Sequence, residues 1–213
     1  MKKFLAGNAL ILALAFTTIA RADDTNHVPT DYTGKPFAGT PQTIPGTIEA
    51  YKYDIAPNGA KDVTFHYEGD AKTTKYRTSP DSIRIAGYGL GHVSIKGEPE
   101  APDQVYVGWT ETGEWLKYTV HVAESGTYVL GGKFAAGDKG TKISVTFTPQ
   151  ISTGPIEIPT TAGYQPGVEV YHVWEKLDHL AEVPLSAGTY VMTVKIENDA
   201  GLNLGYLTFT KKG

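Results

Sequence analysis

The sequence predicts an all-β, single-domain antiparallel sandwich, and three observations carry that expectation. From Glu114 onward, Leu116, Tyr118, Val120 and Val122 alternate with Trp115, Lys117, Thr119 and His121, the period-two pattern of a half-buried strand. Glycine (24) and proline (13) are plentiful and aromatics make up 11% of the chain, while long helical runs are missing after the N-terminus. At 213 residues, one domain with a sizeable core is the default.

The first segment, residues 1–22, reads as a secretory signal peptide. Lys2 and Lys3 form a basic end, Ala9 to Phe16 are all apolar, and Ala20-Arg21-Ala22 offers a small-x-small cleavage site. That apolar run is shorter than the roughly 18–20 residues a membrane-spanning helix needs. A soluble, exported (extracellular or periplasmic) protein is therefore expected. Removing residues 1–22 takes away Lys2, Lys3 and Arg21 and no acid, leaving 16 basic against 23 acidic side chains and a formal charge of −7. With no basic stripe, nucleic acid and anionic membranes are poor partners. The chain has no cysteine, which excludes a disulfide frame, a thiolate nucleophile and Cys-ligated metal sites. Residues 23–46, rich in Pro, Gly, Thr and Asp without a sustained period, read as a linker or a loosely docked arm.

The remaining module, 47–211, resolves into strands. Ile48 to Asp54 reads as an edge strand, and Val63–Tyr67 and Asp81–Ile85 as two further strands separated by turns at Gly69-Asp70 and Ser79-Pro80. Gly126–Leu130, Lys142–Thr148 and a weaker Ile156–Ile158 follow. Gly131-Gly132 suits a bend and Gly137-Asp-Lys-Gly140 a hairpin. A Leu-rich strand spans Leu177 to Leu185, Tyr190, Met192, Val194 and Ile196 alternate in the next, and Asn198-Asp-Ala-Gly201 turns into a final strand, Leu202–Phe209. Two tryptophans sit where this pattern gives them no packing role. Trp115 falls on the polar face of its strand, and Trp109 stands in a loop bracketed by Gly108 and Gly113. A large indole at such a position suits contact with something flat and partly apolar.

The run Val107-Gly-Trp-Thr-Glu-Thr-Gly-Glu-Trp-Leu-Lys-Tyr-Thr-Val120 resembles the hallmark of the family 6 carbohydrate-binding modules. In order, Ile48–Asp54, Tyr76–Ile85, Ser125–Tyr128, Ser186–Tyr190 and Leu202–Phe209 are similar to further family motifs, so the resemblance covers roughly residues 46 to 210. It implies a jelly-roll sandwich of the galactose-binding-like type. It also implies a cleft among loops at one edge, where two aromatics sandwich a sugar ring and an asparagine binds its hydroxyls. Position by position, Trp109 and Tyr171 match the aromatics and Asn203 the asparagine. Tyr164, Trp174, Tyr88, His92 and Trp115 are further candidate contacts; Tyr88 and His92 lie in a stretch, 86–104, longer than the family's usual connection. Trp115 would mark a second site on a sheet face, although Thr148 and Ile55 stand where that site needs other residues. The family's structural calcium would fall to Glu49, but Tyr51 and Thr210 replace the other usual donors. Calcium takes about six to eight oxygens, so no cofactor is expected.

The chemistry of stacking fits these residue types. A pyranose has an apolar C–H face and an equator of hydroxyls; aromatic planes bury the first at low entropic cost, and an amide donates to and accepts from the second. Each such hydrogen bond nets only about 1 kcal/mol against water. A dissociation constant of roughly 1 mM to 1 μM follows, about −4 to −8 kcal/mol. The expectation is therefore a non-catalytic, monomeric module that binds a polysaccharide or oligosaccharide. Two other readings stay open: a small secreted glycosidase or lyase using Glu111 or Glu114, and a protein-binding adhesin on the same fold.

Overall fold

The computed structural model describes residues 25–60, 62–66, 105–108, 110–161, 172–199 and 201–213. The larger of its two sheets is built on β5 (Trp115–Val122), whose Leu116, Tyr118, Val120 and Val122 are all buried, as their alternation demands. β11 (Gly188–Asn198) runs antiparallel along β5, and β7 (Lys142–Phe147) lies on the other side of β11. Two-residue strands β8 (Ile151–Ser152) and β9 (Ile156–Glu157) pair with β7. β2 (Gln42–Ile44) and β4 (Phe65–His66) share the free edge of β5. β1 (Thr25–Asn26) runs parallel to the start of β11. The smaller sheet has the order β10 (Glu175–Leu185), β6 (Gly126–Ala136), β12 (Leu202–Lys211), β3 (Gly46–Glu49).

The apolar faces of the two sheets meet in one core. Tyr190, Met192, Val194 and Ile196 of β11 and Ile143, Val145 and Phe147 of β7 face Tyr128, Leu130, Phe134, Leu204, Leu207 and Phe209 of the smaller sheet. Phe147 joins the layers: its ring lies edge-on to Tyr190 at 6.1 Å and to Phe209 at 5.8 Å between centroids. This is the all-β antiparallel sandwich in a single domain that the alternation predicted. Among the described residues no helix is long and apolar enough to cross a membrane.

Four local expectations change. Residues 137–141 make no hairpin; they carry the chain from β6 in the smaller sheet to β7 in the larger one. Glycines with a polar insert read as a hairpin turn from sequence, but each strand's partner is fixed by distant segments. Gly131-Gly132 does not bend the chain out of β6. Instead, the register of β10 skips from Leu177 to Ala181 opposite these glycines, and that of β12 skips between Leu204 and Tyr206. A Cβ on Gly131 or Gly132 would stand 2.5 Å from the carbonyl oxygen of Leu177 or Tyr206, respectively, so the bulged neighbours come close only because no side chain intervenes. The expected edge strand Ile48–Asp54 ends at Glu49 and continues as a 3-10 turn over Ala50–Lys52.

The fourth change is the largest. Residues 25–44, expected as a linker or loose arm, are bonded into the sandwich. β1 and β2 lie on the larger sheet, and the Lys35 and Ile55 amides donate to each other's carbonyls. The Gln42 side chain spans β3 and the turn after it, accepting from the Glu49 N–H and donating to the Lys52 carbonyl. Asp54, 1% exposed, is the anchor. Its Oδ1 accepts from the Thr119 N–H at 2.9 Å, and its Oδ2 accepts from the hydroxyls of Tyr32 at 2.7 Å and Thr119.

On the outer face of the larger sheet, Glu197 accepts from Lys195 Nζ at 2.8 Å and from the Ser144 hydroxyl at 2.7 Å. These bonds, Lys195 first, hold its carboxyl below the usual carboxylate range. A lowered folded-state pKa gives stability that is present above the unfolded value, near pH 4.3, and lost as pH falls through the folded value. The pair lies at the surface, with Lys195 44% exposed, so Glu197→Gln is expected to cost only about 0.5 kcal/mol at pH 7 and nothing measurable near pH 3. Urea denaturation at the two pH values checks this; an equal loss at both would rule out an ionic origin.

Candidate functional site

The family-based site residues fall around the start of β12. Val107 and Leu204 form a two-bond bridge, each N–H donating to the other's carbonyl at 2.9 and 2.8 Å. Thr110, buried, donates its hydroxyl to Asp199 Oδ1 at 2.9 Å and to the Leu202 carbonyl at 3.1 Å. The described neighbours of position 109 are thus fastened to both flanks of Asn203. Asn203 itself is 7% exposed. Leu202 and Leu204 enter the core, so Asn203 faces outward from the smaller sheet, opposite Ala135 of β6.

A second set of bonds holds Thr161, His172 and Val173, the described residues on either side of 162–171, to β6 and to Tyr106. The Thr161 hydroxyl donates to the Val173 carbonyl at 2.6 Å and accepts from the Ala136 N–H at 2.9 Å. His172, next to position 171, has its Nε2 3.0 Å from the Tyr106 hydroxyl. Tyr106 lies edge-on to Trp174, 5.1 Å between centroids, and the two form a small cluster with Ala135 outside the main core.

Trp109, Tyr171, Tyr164, Tyr88 and His92 lie outside the described residues. Trp174 is a correction: it is 0% exposed, sealed by Tyr106 and Ala135, with Lys133 Nζ 5.4 Å from its ring centroid. It floors this edge instead of offering a stacking face. Sequence spacing alone cannot reveal a cover supplied by Tyr106, which lies far away along the chain.

Trp115 is half-buried on the outer face of the larger sheet. It lies nearly parallel to His66 at 5.9 Å, and the Lys117 ammonium sits 4.6 Å from its centroid. Lys117 is also 5.6 Å from the Tyr32 ring. Burial lowers the Lys117 pKa, opposed by the negative charge of Asp31. Trp115 is therefore part of a cation-bearing aromatic cluster built partly by the arm.

Glu49, the residue to which the resemblance gives calcium, is half-buried at the end of β3. Its carboxyl is pushed up by burial, an effect opposed by two cations, Lys52 and Lys133, and among the described residues no three acidic or histidine side chains assemble around it. Thr210 is exposed and uncharged. Lys52 and Lys133 bring positive charge toward the Glu49 carboxyl, which works against a divalent cation there.

The acids weighed for catalysis are Glu111 and Glu114. Glu114 is 6% exposed, and its Oε2 accepts from the Glu111 N–H at 2.9 Å. It fixes the turn from within its own loop. The residues that sequence reasoning missed are Tyr106, His172, Lys133 and Asp199. Asp199 carried a signal only as a turn former.

The comparisons agree with this architecture. The C-terminal family 6 module of LamC, a marine laminarinase from Zobellia galactanivorans, matches with a TM-score of 0.50 at 19% identity, covering 78% of this chain and 98% of that one. A β-1,3-glucan-binding family 6 module from Bacillus halodurans matches with a TM-score of 0.51 at 15% identity, over 80% and 98% of the two chains. A module from Clostridium stercorarium in complex with cellobiose matches with a TM-score of 0.50 at 13% identity, over 82% and 99%. At these identities the likeness is one of fold. No curated protein matches the chain. The family profile described as carbohydrate binding module (family 6) matches residues 87–211, more than half of the sequence. The chain belongs to the family 6 carbohydrate-binding modules.

Proposed function

We propose that the module holds a polysaccharide at the edge formed by the start of β12, through Asn203 together with Trp109 and Tyr171, without catalysing its cleavage. One observation carries this reading: the bonds of Val107 and Thr110 to β12 and of His172 to Tyr106 gather the sequence neighbours of all three residues at one end of the sandwich. β-Glucans are the first ligands to test, because one structural relative binds β-1,3-glucan and another was solved with cellobiose. The burial of Glu114 and its bond to the Glu111 amide favour a structural part for that acid over an acid–base one.

Retention on insoluble polysaccharides tests the proposal. Wild type should be retained, and Trp109→Ala, Tyr171→Ala and Asn203→Ala should each lose about 1–2 kcal/mol, roughly tenfold in affinity. Unchanged retention in all three would put the site elsewhere. Release of reducing ends that is abolished in Glu114→Gln would replace binding by hydrolysis.

A further inference from the structure

We infer that Asp199 is a positioning residue of the sugar site, locking the loop that follows position 109 to the strand that carries Asn203. The inference rests on the binding reading above.

Asp199 directly follows β11 of the larger sheet and stands three residues before Leu202, the first residue of β12 in the smaller one. Its Oδ1 accepts two hydrogen bonds, from the Thr110 hydroxyl at 2.9 Å and from the Leu202 N–H at 3.0 Å. Its own N–H donates to the Thr112 hydroxyl at 2.9 Å. One residue thus fastens both ends of the segment 110–112 and the first amide of β12, directly before Asn203. The Gly113 N–H donates to the Ile196 carbonyl and the Ile196 N–H to the Glu114 carbonyl, so the same loop is also laced to the end of β11.

The division of labour follows from the chemistry of the acceptor. Thr110 is buried and also donates to the Leu202 carbonyl, so its hydroxyl has a second acceptor if Asp199 is lost. The Leu202 N–H, by contrast, loses its side-chain acceptor with the carboxylate, and that loss loosens the start of β12. Loop and strand would then move separately. A sugar held between groups on both would pay the ordering cost on binding that Asp199 now removes beforehand. The functional part of the carboxylate is one acceptor oxygen, not its charge, so an amide at this position can replace it.

The experiment compares Asp199→Ala and Asp199→Asn with wild type, by retention on the polysaccharide that wild type binds and by hydrogen exchange of amides 110–114 and 202–204. Asp199→Ala is expected to bind about tenfold more weakly, with exchange faster in both segments together. Asp199→Asn, which keeps the acceptor, is expected to restore both to within about twofold. Full binding by a folded Asp199→Ala protein, or exchange that rises in only one segment, would overturn the inference. If Asp199→Ala fails to fold, Asp199→Asn decides: a tenfold loss there refutes the acceptor role. Should wild type hold no polysaccharide, the binding reading fails on its own, and coupled exchange still judges the lock.

Discussion

Replacing Phe147 with alanine is expected to lower the unfolding free energy by about 3–5 kcal/mol, the cost of removing a buried aromatic and leaving a cavity. Phe147 is 0% exposed and is the ring through which the larger sheet meets Phe209 of the smaller one, while also packing edge-on to Tyr190. Neither neighbour can collapse into the gap freely, because each belongs to a strand paired on a different sheet. Phe147→Leu keeps most of the volume and should cost less than about 1.5 kcal/mol. Chemical denaturation of the two variants separates packing from loss of hydrophobicity. A cost below about 1 kcal/mol for Phe147→Ala would mean that the sheets do not close over this ring.

Asp54→Ala comes second, at about 3 kcal/mol or more, because it leaves the buried donors of Thr119 and the part-buried hydroxyl of Tyr32 without their acceptor. Tyr32→Phe removes only one of those bonds and should cost about 1–1.5 kcal/mol. Tyr32 also gives the pair a pH signature. Burial first, then the negative charge of Asp54 and their hydrogen bond, raise its pKa well above the ordinary phenol range. A raised folded-state pKa means that stability is complete below the unfolded value, near pH 10, and declines as pH rises beyond it. Wild type should therefore lose stability above about pH 10 more steeply than Tyr32→Phe. Parallel slopes for the two proteins would detach the arm from Asp54.

The strands that could be read in the sequence are those with a long uninterrupted period. β5, β7 and β11 could be read because one face of each lies in the core, and every residue chosen as inward is buried, although Thr119, Ser144 and Val191 on the outer faces are covered too. The arm was illegible because β1 and β2 are two and three residues long, too short for a period, and are held by side chains at Tyr32, Gln42 and Asp54. Crossing between sheets at 137–141 was hidden for a related reason: glycines report local freedom, not which distant strand comes next. Asn203 is singled out in the sequence only through the motif around it. Asp199 was not, because its partners Thr110 and Thr112 lie far upstream, and a turn-forming aspartate looks the same with or without them.

The exposed flank of the smaller sheet has a bearing on crowding. Among the described residues β10 has a neighbouring strand on one side only, yet it bears Glu175, Lys176, Asp178, His179 and Glu182, is interrupted by its bulge, and places Pro184 near its end. Alternating charge, broken register and a missing N–H all discourage strand-to-strand docking between copies. Molecules brought side by side on a common fibre can then stay individually folded and free to let go, instead of zipping into a permanent film.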